Sequence, residues 1–160
     1  MDPLTQPGGM NVTAGNGGIS EVDVRELLAI CPRLYEAVGW HAGKQPDWAT
    51  FRSCFHPDAI LAPMSGGAAT VIEVETFIQG MHAQLAAGEL KTFSERELAN
   101  HVEAFANIAS VRSTFVASMN GVERQGVTFA QMVRHSGRWV ILSVVWDNES
   151  PGTPVPANLL

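Results

Sequence analysis

Apolar residues recur along this chain with two different periods, and the change of period divides it into two halves. From Glu21 to about Gly43, Val24, Leu27, Leu28, Cys31, Leu34, Tyr35 and Val38 stand three or four residues apart, the spacing of one helix face. Ser20 is placed to cap this helix. Pro32 lies inside it and predicts a kink or two abutting helices, because proline removes a backbone donor and crowds the preceding turn. Trp48, Phe51, Cys54 and Phe55 give a second, short helix with Asp47 as its cap. It ends at "HPD" (56–58), since Pro57 disfavours helix at His56. "AILAPM" then reads as a short strand and "SGGAA" as a turn. A third helix is expected over about 72–87, with Val74, Phe77, Ile78, Met81 and Leu85 on its buried stripe and Gly88 as its stop.

After residue 92 the pattern becomes strand-like. Four strands are expected at about 94–105, 109–119, 123–135 and 138–148, separated by "AN", "NG" and "SG". Asn-Gly and Ser-Gly supply the positive φ that tight hairpins need. Helices followed by hairpin-linked strands predict an α+β fold with the helices on one face of the sheet. The last strand, "RWVILSVVW", is nearly continuous in apolar residues, with Ser143 its one polar interruption after Arg138. Both of its faces therefore need cover.

The 160 residues suit one domain large enough to bury a core without metal or disulfide staples. The expected division is a Gly- and Pro-rich flexible leader over 1–19, a domain over 20–149 and an extended Pro-rich tail over 150–160. The net charge of −6, with ten scattered basic residues, argues against a nucleic-acid partner. The N-terminal residues lack the basic and apolar regions of a signal peptide, and no apolar run reaches the roughly 20 residues of a membrane span. A cytoplasmic protein with no membrane partner is expected, with Cys31 and Cys54 as reduced, buried thiols. No pair of histidines has the i, i+4 helical spacing of a metal site, and no phosphate-loop, dinucleotide or G-x-S-x-G motif occurs. Neither metal nor cofactor is expected. His41, at the expected end of the first helix, reads as a cation suited to the helix dipole.

Three stretches in this order resemble the nuclear transport factor 2-like superfamily, which includes ketosteroid isomerase, scytalone dehydratase and the SnoaL-like polyketide cyclases. "DWATFRSCFHPDAIL" is similar to its second helix and first strand, "FANIASVRSTF" to the start of an inner hairpin, and "SGRWVILSVVW" to its last strand. The likeness covers about residues 22–149. It implies a curved, cone-shaped antiparallel sheet wrapped around three N-terminal helices (a cystatin-like fold), with a pocket at the open end. It also implies a homodimer formed through the outer sheet face.

The chemistry of the named relatives does not carry over whole. The resemblance places the isomerase's general base at or beside Pro63, which cannot take a proton, and its oxyanion-binding Asp near the apolar Phe129; Tyr35 could match its Tyr. An Asp-Arg-Asp arrangement of epoxide hydrolases of this fold is not matched either: Arg112 is the one mid-strand arginine on the second long strand, it has no inner Asp, and it reads as an outer-face residue. His101 and Glu103, two residues apart on one strand face, are candidates for acid–base work, with Tyr35 and Asp147. If the last strand aligns with the family, Leu142, Val144 and Trp146 point into the cone and Trp139, Ile141, Ser143 and Val145 away from it. Tyr35, Met64, Phe115, Phe129 and Gln131 join the inner, ligand-binding set. Three functions follow: a homodimeric protein binding a small hydrophobic or aromatic molecule in the cone, a SnoaL-like acid–base enzyme (cyclase, isomerase or dehydratase), or a non-catalytic association domain.

Overall fold

A computed structural model describes residues 11–12 and 17–160. Strand β1 is Asn11–Val12, helix α1 Glu21–Val38, helix α2 Trp48–Ser53 and strand β2 Phe55–Ser65. Two short strands, β3 (Ala68–Ala69) and β4 (Ile72–Glu73), precede helix α3 (Val74–Ala87). The long strands are β5 (Phe93–Phe105), β6 (Ile108–Met119), β7 (Val122–His135) and β8 (Arg138–Asn148). A 3-10 turn at Ala157–Leu159 lies in the C-terminal tail.

The helices form where caps and apolar stripes coincide. Ser20 Oγ accepts from the Asp23 amide at 3.1 Å while Asp23 Oδ2 accepts from the Ser20 amide at 2.8 Å, a reciprocal cap that satisfies two orphan donors. The other Asp23 oxygen accepts from Trp139 Nε1 at 3.0 Å and pairs with Arg134 at 2.8 Å. The start of α1 is thereby tied to the last hairpin. The Ser20 amide, with Trp139 next, holds the Asp23 carboxyl well below the usual carboxylate range. Pro32 does not divide α1 into two helices; it is exposed within one 18-residue element. α1 stops at Val38, and Lys44 Nζ, not His41, bonds a carbonyl of its last turn (Glu36 O, 2.5 Å). Asp47 Oδ1 caps α2 through the Thr50 amide at 3.0 Å, and Gly88 ends α3 in the left-handed conformation.

The strand order is β1-β5-β6-β7-β8-β2-β3, with β4 also on β2. β5 to β8 form antiparallel hairpins, while β2 joins β8 and β1 joins β5 in parallel. The sheet is thus mixed at both ends, because β1 and β2 each reach their partner strand across the helical half. Positive φ falls at Ala106, Asn120, Gly121, Ser136 and Gly137, the three hairpin turns. Of the expected leader, residues 1–10 and 13–16 lie outside the described residues. Asn11–Val12 pairs with His101–Val102, and Ile19 packs against the core. The tail folds back on the sheet, where Thr114 Oγ1 donates to the Leu159 carbonyl.

Two bulges decide which residues face the helices. On β5, Glu97 pairs with Phe115 and Ala99 with Thr114, which leaves Leu98 as an extra residue. On β8, Ile141 pairs with Met132 and Ser143 with Gln131, which leaves Leu142 extra. An extra residue shifts the two-residue alternation by one. Phe93, Glu95 and Glu97 face inward before the first bulge, and Asn100 and Val102 after it. Trp139 and Ile141 face inward before the second, and Val144 and Trp146 after it; Trp139, Ile141 and Val144 are fully buried core.

Candidate functional site

The space between the sheet and the helices narrows to a cavity of about 50 Å³. Leu34, Tyr35 and Val38 from α1 and Phe51 and Phe77 from α2 and α3 form one side. Phe55 and Leu61 of β2, Phe93 and Glu95 of β5, Phe115, Thr128, Val144 and Trp146 form the other. The wall is strongly aromatic. Phe51 stacks on Phe77 at 5.3 Å and tilts on Phe55 at 5.1 Å, and Phe77 meets the edge of Trp146 at 5.8 Å. Such pairs contribute about 0.5–1.5 kcal/mol each beyond their burial. Phe115 reaches the wall because residue 126 has no side chain. A Cβ on Gly126 would overlap the Phe115 ring and stand 2.6 Å from the Asp147 carbonyl oxygen.

Six polar side chains interrupt this wall or lie directly behind it. Tyr35 Oη is 3.0 Å from Ser113 Oγ and 3.1 Å from Thr128 Oγ1. Ser113 Oγ donates to Glu97 Oε2 at 2.6 Å, and Asn100 Nδ2 donates to Glu97 Oε1 at 2.7 Å. Desolvation lifts the Glu97 carboxyl above its ordinary value against the pull of these two donors. It also lifts the Tyr35 hydroxyl well above the usual phenol range and, with Glu97 nearby, the Cys31 thiol to about 12. Glu95 stands apart from this chain. No hydrogen bond or ion pair holds it among the described residues, and burial alone pushes its carboxyl up to about 7. A carboxyl group near neutrality inside a cavity can give or take a proton at physiological pH.

The structure brings together Tyr35, Phe115, Val144 and Trp146 from the expected inner set. It places the other four elsewhere. Leu142 is the bulge residue and is turned outward at 38% exposure, and Phe129 is 47% exposed because Thr128 holds the inward phase of β7. Gln131 shares the outer phase of Phe129, and its amide donates to Ser110 Oγ at 3.2 Å. Met64 pairs with Ala69 on the far end of β2, away from the cavity. Trp139 and Ile141, expected on the outer face, are core instead, because the bulge inverts their phase.

The acid–base candidates separate in the same way. His101 and Glu103 do share a face, with Nε2 and Oε1 3.6 Å apart, but it is the outer face beyond the Leu98 bulge. Glu103 is 74% exposed there. Asp147 is exposed and accepts from its neighbour's amide. Of the four, Tyr35 alone reaches the cavity wall. Glu95, Glu97, Ser113, Asn100 and Thr128 escaped the sequence reading, although Glu95 and Glu97 stand in phase with Phe93 in "FSEREL", a signal that the strand face is inward. Cys31 and Cys54 are both buried and outside any disulfide. Among the described residues no three His, Cys, Asp or Glu side chains are grouped as a metal would require, and no helix is long and apolar enough to cross a membrane.

A family model described as "Putative lumazine-binding" matches residues 40–147. No curated protein matches the chain. Several solved structures do. A protein of unknown function with a cystatin-like fold from Nostoc punctiforme superimposes with a TM-score of 0.66 at 14% identity, covering 86% of this chain and 98% of its own. An NTF2-like protein of unknown function from Shewanella baltica gives 0.58 at 12%, covering 82% and 98%. A "Putative Scytalone Dehydratase" from Novosphingobium aromaticivorans gives 0.62 at 11%, covering 81% and 85%. At these identities the likeness shows the fold, a cystatin-like, nuclear transport factor 2-like cone.

Proposed function

The chain belongs to the family described as "Putative lumazine-binding", and on that premise we propose that its cone binds a small, flat, largely apolar molecule. The observation that carries this reading is Glu95, a carboxyl group without a protein partner among the described residues, set in an aromatic wall. Apolar walls with a few placed polar groups are the usual form of a small-ligand site. A ring carrying an N–H or O–H donor would satisfy Glu95, while its faces meet Phe51, Phe77 and Trp146. The cavity itself is smaller than a ring. Entry therefore moves Phe77 and Trp146, the partly exposed aromatic members of the wall. Lumazine and single-ring phenols are the first molecules to try. Binding at a hundredfold excess over Kd should raise Tm by about 5–10 °C. Val144→Phe, which fills the cavity, should abolish the shift. No shift with any of these compounds at millimolar concentration overturns the reading.

The near-neutral Glu95 also favours a second reading, acid–base catalysis on the bound molecule, as in a SnoaL-like isomerase, dehydratase or cyclase. The dehydratase description of one structural neighbour supports this by fold analogy alone. We further propose that the protein is a homodimer through the outer sheet face. Ile60, Phe129, Leu142 and Val145 are 38–47% exposed on that face. Arg112, between His101 and Phe129 in the register, has a buried Nε with no acceptor.

A further inference from the structure

Thr128, Tyr35, Ser113 and Glu97 form an unbroken series of contacts of 3.1, 3.0 and 2.6 Å that starts at the cavity wall and ends on a carboxyl group behind it. Each hydroxyl has one proton to give. The direction in which those protons point is therefore set at one end. While Glu97 is ionised it only accepts. Ser113 gives its proton to Glu97, Tyr35 gives to Ser113, and Thr128 gives to Tyr35. Thr128 then has only lone pairs left for the cavity. When Glu97 is protonated it can give to Ser113, and each bond in the series reverses. The Thr128 proton becomes free to point at a bound molecule.

We propose that Glu97, acting through Ser113 and Tyr35, sets whether the cavity wall at Thr128 offers an acceptor or a donor. The cone then prefers molecules with an N–H or O–H donor while Glu97 is ionised, and molecules with a carbonyl or ether acceptor when it is protonated. This rests on the reading that the cone binds a small molecule, and it adds the ligand chemistry and its control by pH. The groups around Glu97 are consistent with a change of charge at that position. Ser113 faces it from β6 and Asn100 from β5, both as donors. From α1 the titratable groups nearest Glu97 are Cys31 and Tyr35, both held neutral by burial. Glu95 lies two residues away on the same strand face. No Lys, Arg or His is paired with Glu97 among the described residues. Asn100 Oδ1 is buried with no donor to it, so a turn of that amide would give protonated Glu97 a second acceptor beside Ser113.

Phenol and anisole provide the test. They differ in the donor hydrogen, and neither ionises between pH 5 and pH 8. Dissociation constants for both are measured by NMR titration across that range. The Glu95→Gln background removes the other carboxyl group that burial raises. Preference for phenol over anisole should be about fivefold or more larger at pH 8 than at pH 5, the worth of one hydrogen bond changing sense. Ser113→Ala in that background keeps Glu97 but cuts the series, and the preference should no longer change with pH. Thr128→Val removes the cavity end and should do the same, which keeps the test valid if Ser113→Ala fails to fold. A preference that is flat with pH in the Glu95→Gln protein overturns the proposal, as does a pH dependence that survives both cuts. If neither probe binds the wild-type protein, the small-molecule reading itself falls, and the proposal with it; where only Glu95→Gln abolishes binding, the same two cuts are compared in the wild-type background.

Discussion

Glu95 shows what burial does to one carboxyl group. The unfolded chain releases this proton at the ordinary carboxylate value of 4.5, the folded protein only at about 7. Between these values the folded state binds more protons than the unfolded one, so stability falls as pH rises through that window and levels off above it. Glu95→Gln removes the penalty. At pH 8 the variant should be more stable than wild type by about 3 kcal/mol, and at pH 4 nearly equal to it. Urea unfolding at the two pH values measures the difference; equal gains at both would mean that Glu95 is not desolvated. Asp23 works in the opposite sense. Its carboxyl is held low by the Ser20 amide and Trp139, so its contribution is present at neutral pH and is lost only in acid. Part of the site could be read from the sequence: Tyr35, Phe115, Val144 and Trp146 follow from period and family likeness. Glu95 and Glu97 were marked only by their phase with Phe93, because an all-polar Ser-Glu-Arg-Glu run is also what a solvated edge strand looks like, and the packing of α1 against β5 tells the two apart.

At the scale of the element, the bulges carry more information than the strands they interrupt. The hairpin turns placed β5 to β8 to within a residue, since positive φ at Asn120-Gly121 and Ser136-Gly137 is a local property of those residues. A bulge has no comparable signature at Leu98 or Leu142. Both are apolar residues in apolar surroundings, and what makes each the extra one is the pairing of its neighbours. An error of one residue there inverts every side chain beyond it, which is why an uninterrupted alternation puts Trp139 and Ile141 outward and Leu142 inward. Deleting Leu142 tests this directly. Without the extra residue, either Trp139 and Ile141 or Val144 and Trp146 must turn away from the core. The cost of exposing such a pair exceeds about 4 kcal/mol. The deletion variant should lose its dispersed NMR spectrum and cooperative unfolding. A stable, well-dispersed deletion variant would show that β8 keeps one phase throughout.

Over the whole molecule, the two faces of the sheet are asymmetric in how they are covered. The inner face is sealed by three helices. The outer face is covered in part by the tail, whose Leu159 carbonyl takes the Thr114 hydroxyl, leaving Thr114 and Val116 buried although they point away from the core. The tail does not cover the remainder. Phe129 and Val145 are direct cross-strand neighbours, and Leu142 and Ile60 flank them on β8 and β2, each 38–47% exposed. This apolar surface is what the proposed homodimer would cover. A second copy of the same face would also bring acceptors to the unpaired Nε of Arg112. Val145→Glu separates the two ways of leaving this face. In a monomer the new carboxylate points into water and changes stability by about 0.5 kcal/mol or less. In a homodimer it is buried without a partner, costs about 3–5 kcal/mol at each copy, and shifts the protein to monomer. Light scattering at micromolar concentration should therefore give a dimer for wild type and a folded monomer for Val145→Glu. The cone opens on the opposite side of the sheet, so the monomeric variant should still take up the probes that bind the wild-type cavity. A wild-type monomer, or a Val145→Glu protein that stays dimeric, would place any subunit contact away from this face.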